Sequence, residues 1–242
     1  MDALIYTAMS GAERTLREQQ VRANNLANAD TPGFRADVAF STALATPGYG
    51  YDDRHMSQLN ADGVSARNGV LKSTGRELDV AITGEGYFAV QHRDAQEAYT
   101  RSGQFTVDAD GTLTVNGRPV VGDGGPIVLP AFTRVDIAGD GTVSIQPPGQ
   151  EDLQPVDRIK TVRPLGGEVT KNEAGLIVAR DGQPLPADDT VTMRSGHLEG
   201  SNVSAVEEMV ATMTLSRDFE VQMKLFGSAE RMSEAGNRLV RG

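Results

Sequence analysis

The sequence predicts an α+β fold: a discontinuous domain of paired N- and C-terminal coiled-coil-like helices plus an inserted antiparallel β-rich domain. Three observations predict it. Apolar residues recur at helical spacing at both ends, they alternate with period two in the middle, and several of the 27 glycines follow Asp or Asn in turn-forming pairs.

From Ile5 the positions Ile5, Met9, Ala12, Leu16, Gln19, Ala23 and Leu26 are spaced alternately by four and three, a heptad seam with one polar interruption. A helix of about 25 residues follows, roughly 40 Å long. Asn24, Asn25 and Asn28 break the expected composition, because asparagine competes for backbone hydrogen bonds and is a poor helix-interior residue. Thr31-Pro32-Gly33 ends the helix, since Pro32 restricts Thr31 to extended conformations and Pro-Gly suits the centre of a type II turn. Residues 1–34 are assigned to the helical domain, and 35–71, rich in Gly, Ala, Asp and Ser, to an extended connector with little core of its own.

Residues 72–198 are expected to form the β-rich domain. Val135/Ile137 and Val143/Ile145 alternate around Asp140-Gly141, and Phe105/Val107 and Leu113/Val115 around Asp110-Gly111, both as hairpins. Residues 199–242 return to helical spacing. Ser204 with Glu207 makes a capping box, and Glu207 and Glu208 suit the positive end of the helix dipole. Val206, Val210 and Met213 form a seam that resumes, after a four-residue stutter, as Val221, Leu225, Ser228, Met232, Ala235 and Leu239. Leu215, Phe219 and Phe226 make a second stripe, so this helix calls for more than one neighbour.

The formal net charge of −10 argues against nucleic acid or an anionic membrane surface as the main partner. Each end is near −1 and the middle near −8, so copies can pack by their ends without strong repulsion. The absence of cysteine removes disulfides and thiolate metal sites. The N-terminal run has an acid at Asp2, no basic segment and no long apolar core, so no cleavable secretory signal is expected, and no stretch approaches the roughly 18 apolar residues of a membrane span.

Motifs with chemical potential fall short of their chemistry. Gly84 to Ala89 matches a dinucleotide fingerprint, but that fingerprint needs a helix beginning within the glycines, and Tyr87-Phe88-Ala89-Val90 is strand-like. Asp108 and Asp110 resemble the start of a calcium loop, yet Thr112 and Leu113 occupy positions that would require an oxygen ligand and a glycine. His55, His92 and His197 are far apart in sequence and have no metal-ligand spacing. Asn202-Val203-Ser204 is a glycosylation sequon on a helix cap. No catalytic, cofactor or metal site is therefore assigned, and the chain is not expected to be an enzyme.

Two readings of the terminal helices remain open: a two-helix hairpin packed against its own β domain, or a helical unit that packs with copies or relatives. On the second, the interface comprises Ile5, Met9, Leu16, Asn24, Asn25, Leu26, Asn28, Val206, Val210, Met213, Phe219, Val221, Leu225, Phe226, Met232 and Leu239. Small alanines allow close approach there, and neutral amides bond to neighbours without burying charge.

The stretches NNLANADTPGFRA, LEGSNVSAVEEMV and SRDFEVQMK, with GEGYFAV and YTRSGQFTVDADGTLTVNGRPVVG between them, closely resemble the flagellar axial proteins, the family of rod and hook subunits. The terminal runs and short length are most similar to the proximal rod members. ADTPGFRA departs from the Asn-Gly turn usual in the distal rod members. The resemblance implies a structural subunit exported through the flagellar type III apparatus and assembled in the periplasm with copies of itself and other rod subunits. It also implies that the helices form an inner tube around the export channel, with the β domain outside. A secreted glycan-binding module with a helical dimerisation stalk is the alternative from another class. It has thin support, because the chain has only five Tyr, seven Phe and no Trp to build a sugar platform.

Overall fold

The structure, a computed structural model, describes residues 2–45, 55–92, 96–165 and 167–241. Two long helices flank a β-rich middle: α1 spans Asp2–Ala27 and α2 spans Ala205–Arg241. Ser204 caps α2, its Oγ accepting from the Glu207 N–H at 3.4 Å and its carbonyl from the Glu208 N–H at 3.0 Å. The turn after α1 closes through the Phe34 N–H donating to the Thr31 carbonyl at 3.2 Å, with Gly33 at φ +71° as a type II turn requires.

The chain divides into two compact units. The first holds residues 1–27, 37–63 and 204–242, the second 28–36 and 64–203. The stretch expected to be an extended connector carries two strands. Strands β1, Asp37–Ala45, and β2, His55–Val64, form a two-stranded sheet and belong largely to the unit of the helices. Val38, Phe40, Thr42 and Leu44 alternate along β1 with the period-two pattern of a strand, which the overall composition of the segment conceals.

In the first unit α1 and α2 run antiparallel. Gly11 lies against Gln222, the Gln19 Nε2 donates to the Ser216 Oγ at 3.2 Å, and Arg22 meets Glu208 at 3.3 Å. Ala12, Thr15 and Leu215 are buried. The seam read from apolar spacing is thus rotated on α1: Met9 and Leu16 are 57% and 44% exposed, and Thr15 takes an inward position, accepting from the Gln222 Nε2 at 3.2 Å. Counting apolar residues missed this because small and polar side chains do the packing.

The second unit is antiparallel β. Its strands include β3, Leu71–Ser73; β4, Val80–Thr83; β5, Tyr87–Gln91; β6, Glu97–Thr100; β7, Phe105–Val107; and β8, Leu113–Val115. Strand β6 is central in a five-stranded sheet, flanked by β5 and Ile177–Ala179, with Thr161–Val162 and Val169–Lys171 at the edges. Strand β4 pairs with Thr192–Ser195, and β3 with His197–Glu199. Both predicted hairpins form in the expected register, with Phe105 opposite Val115 and Val135 opposite Ile145. Their apolar residues join Val80, Ile82 and Phe88 in one buried core, where the Phe88 and Phe105 rings meet edge to face at 5.2 Å.

Candidate assembly interface

At 3.6 residues per turn, Glu208, Leu215, Gln222 and Phe226 fall on one side of α2, and Leu215 and Glu208 are buried there while Phe219 and Phe226 are half-buried. Val206, Val210, Met213, Val221, Leu225 and Met232 fall on roughly the opposite side and are 55–71% exposed. The two stripes predicted for this helix therefore do different things. One packs within the chain and the other is an outward stripe of apolar residues interrupted by the exposed Arg217 and Lys224. Leu26 on α1 is half-buried, and the side chains of Ile5 and Leu239 lie outside the described residues.

The asparagines separate in the same way. Asn25 is 1% exposed, and its amide makes a reciprocal pair with the Asp37 backbone, accepting from the N–H at 2.8 Å and donating to the carbonyl at 3.1 Å. Its Nδ2 also donates to the Glu208 Oε1 at 3.4 Å. One side chain thus joins α1, the start of β1 and α2, and this explains an asparagine inside a helix: it satisfies backbone groups that would otherwise be buried unpaired. Asn28 sits in the terminating turn, its Oδ1 accepting from the Thr31 Oγ1 at 3.2 Å, and Asn24 is exposed.

Within the second unit the segments adjoining the helices meet in a buried cluster that sequence reasoning missed. The Glu199 carboxylate receives the Arg35 Nη2 at 2.9 Å on one oxygen and the Arg101 Nη1 at 3.1 Å on the other, all three side chains being 2–3% exposed. The Gly69 N–H also donates to Glu199, at 2.7 Å, and the Asn68 Oδ1 accepts from both guanidiniums at 3.0 and 3.3 Å. Arg101 further donates to the carbonyls of Ile82 and Gly84 and lies over the Tyr87 ring. Burial lowers the Arg101 guanidinium to about 10 although Glu199 pulls the other way, and burial raises the Tyr87 hydroxyl.

The same two segments are bound through their backbones. The Gly33 N–H donates to the Glu199 carbonyl at 2.8 Å and the Ala36 N–H to the Asn202 Oδ1 at 2.7 Å, while the Asn202 Nδ2 reaches the Arg67 carbonyl. A Cβ on Gly33 would stand 2.2 Å from the Ser102 nitrogen, so the close approach needs glycine as much as the positive φ does. Lys171 covers the Phe34 ring at 3.8 Å and donates to the Arg35 carbonyl. The sequon asparagine is thus a structural clamp.

The apparent chemical motifs resolve as turns. Gly84 and Gly86, at φ +91° and +130°, connect β4 to β5, so a strand stands where a dinucleotide site needs a helix. Asp108 accepts from the N–H groups of Asp110 and Thr112, committing its carboxylate to the hairpin. His197 Nδ1 lies 2.9 Å from the Ser195 carbonyl, and the side chain of His55 is outside the described residues. No helix among the described residues is long and apolar enough to cross a membrane.

Three family models match the chain: "Flagella basal body rod protein" over residues 5–35, "Flagellar hook protein FlgE/F/G D1 domain" over 81–145, and "Flagellar basal body rod FlgEFG protein C-terminal" over 194–239. The flagellar basal-body rod protein FlgF of Escherichia coli K12 is 41% identical, the alignment covering 99% of each chain. The chain belongs to the flagellar basal-body rod protein family. The FlgF protein of Salmonella typhimurium LT2 is also 41% identical over 99% of each chain, whereas FlgG of Bacillus subtilis 168 is 29% identical over 94% of this chain and 95% of its own. The buried cluster maps onto the family in a simple way, with Arg35 in the first matched segment, Arg101 in the second and Glu199 in the third. One carboxylate ties together the three parts of the chain that these rod and hook models describe.

Proposed function

We propose that the chain is a structural, non-enzymatic subunit of the bacterial flagellar basal-body rod, of the FlgF kind, which assembles through the terminal helices. The observation that carries this reading is the outward apolar stripe of α2, from Val206 to Met232, on the side opposite the contacts with α1. Its occupants are the helices of copies of this chain and of other rod subunits, and the near-neutral helical ends favour such packing over binding to nucleic acid or insertion in a membrane. Asn24 and Asn28 belong to the same proposed surface. In this reading the terminal helices form coiled-coil-like contacts in a tube that surrounds the export channel and transmits torque. The subunit reaches the periplasm through the flagellar type III apparatus and occupies the proximal rod.

Leu225→Asp and Leu16→Asp test this reading. A carboxylate buried unpaired in an interface costs several kcal/mol, repeated at every subunit. Either variant is expected to be lost from purified basal bodies and to abolish swimming, with the unfolding of the β unit unchanged. Normal incorporation of stably expressed variants would refute the reading.

A further inference from the structure

The chain has no cysteine and eight methionines, so its readily oxidised sulfur is all thioether. These methionines are not equally placed. Met193 is 5% exposed in the β core, whereas Met213 and Met232 are 63% and 68% exposed on the outward stripe of α2. Met209 and Met223, 47% and 51% exposed, flank that stripe.

We propose that Met213 and Met232 are a site of oxidative modification by hydroperoxides, through which oxidation before assembly disables the outward face of α2. The inference rests on the assembly reading given above. The sulfur lone pair attacks one peroxide oxygen, an S–O bond forms as the O–O bond breaks, and the departing hydroxide takes the proton to leave as water. The thioether is oxidised by two electrons and the peroxide is reduced. The product replaces a flexible apolar side chain with a polar one carrying a strong acceptor, and desolvating that acceptor opposes packing of the stripe against another helix. Once a neighbouring helix covers the stripe, the sulfur is shielded, so sensitivity belongs to the subunit before incorporation.

Two measurements test this. The purified full chain is treated with hydrogen peroxide and sulfoxide is followed at each methionine by peptide mass spectrometry. Met213 and Met232 are expected to oxidise at least about tenfold faster than Met193, as exposure dictates. Equal rates would overturn the proposal. In cells, M213Q/M232Q fixes polarity at the two positions and M213L/M232L removes the oxidisable sulfur. The glutamine pair is expected in basal bodies at about one-fifth the level of the leucine pair or less, and peroxide present during induction should reduce wild-type incorporation by a similar factor but not that of the leucine pair. Equal incorporation of the two pairs while Leu225→Asp is excluded would overturn the methionine site and leave the assembly reading standing. If Leu225→Asp also incorporates normally, both fall. Equal peroxide sensitivity of the leucine pair and the wild type would place the lesion elsewhere and likewise overturn the proposal.

Discussion

The two units distribute their apolar side chains in opposite directions. In the β unit Phe88, Phe105, Ile82 and Leu113 are buried together, and its many tight turns let short strands cover one another. In the helical unit the side facing inward is built from Ala12, Thr15, Gln19 and Leu215, whereas Met9, Leu16, Val210 and Leu225 face outwards. The β unit buries its largest apolar side chains, and the helical unit leaves many of its own exposed. Burial of apolar surface, at about 25 cal/mol per Å², is the main driving force in both folding and association, so on the proposed reading its location divides the two processes between the units.

The largest expected effect comes from breaking the β unit at the place where its charges, not its apolar groups, are buried. Glu199→Gln leaves two guanidiniums sharing a neutral amide, and removing one partner of a buried ion pair costs about 3–5 kcal/mol. Urea denaturation of the full chain should show that loss in the transition of the β unit, with hydrogen exchange rising first in residues 31–36 and 196–203. A loss below about 1 kcal/mol would mean that water already compensates these charges and that the cluster does not hold the two segments together.

Much of this was legible in the sequence, because the signals were local. The helix periods, Ser204 as a cap and the two Asp-Gly hairpins each depend on residues a few positions apart and appear where expected, whereas α1 ends at Ala27, four residues before the Thr31-Pro32-Gly33 turn expected to stop it. What was not legible depends on residues far apart. Arg35, Arg101 and Glu199 lie in separate segments, and a lone charged residue in a sequence reads as solvated until the fold brings its partners together. The rotation of the α1 seam was hidden for a related reason. Thr15 contributes nothing to an apolar count, yet with Gln222 it packs as a satisfied polar pair. The pairing of β1 with β2 was masked by the Gly- and Ala-rich composition of the segment, although the alternation of Val38, Phe40 and Leu44 was present.

A smaller effect sharpens the contrast inside the helical unit. Asn25→Leu removes an amide that satisfies both the N–H and the carbonyl of Asp37, at a cost of about 1–3 kcal/mol for polar groups left buried. Helical circular dichroism of the isolated chain should then melt at a lower temperature, while Asn24→Leu, at an exposed position, should leave that melt within about 0.5 kcal/mol of the wild type. Equal effects of the two changes would show that the buried amide is no more than a helix-end residue.

The smallest effect is confined to a turn of the β unit and is recognisable by its pH dependence. The Asp140 carboxylate accepts from the Thr142 N–H and hydroxyl, each at 3.0 Å, and these bonds hold its carboxyl below the usual aspartate value. A carboxyl whose pKa falls on folding binds its proton more weakly in the native state than in the unfolded chain. Its contribution to stability is therefore present above the unfolded value of 3.8 and is lost as pH falls through the lower native one. Asp140→Asn keeps the shape and one acceptor but has no charge to lose. At neutral pH the variant should melt slightly below the wild type, and the gap should close as both are acidified below the native pKa. Thermal melts across that range check this, and a gap that persists undiminished in acid would show that the turn depends on the geometry of the side chain and not on its charge.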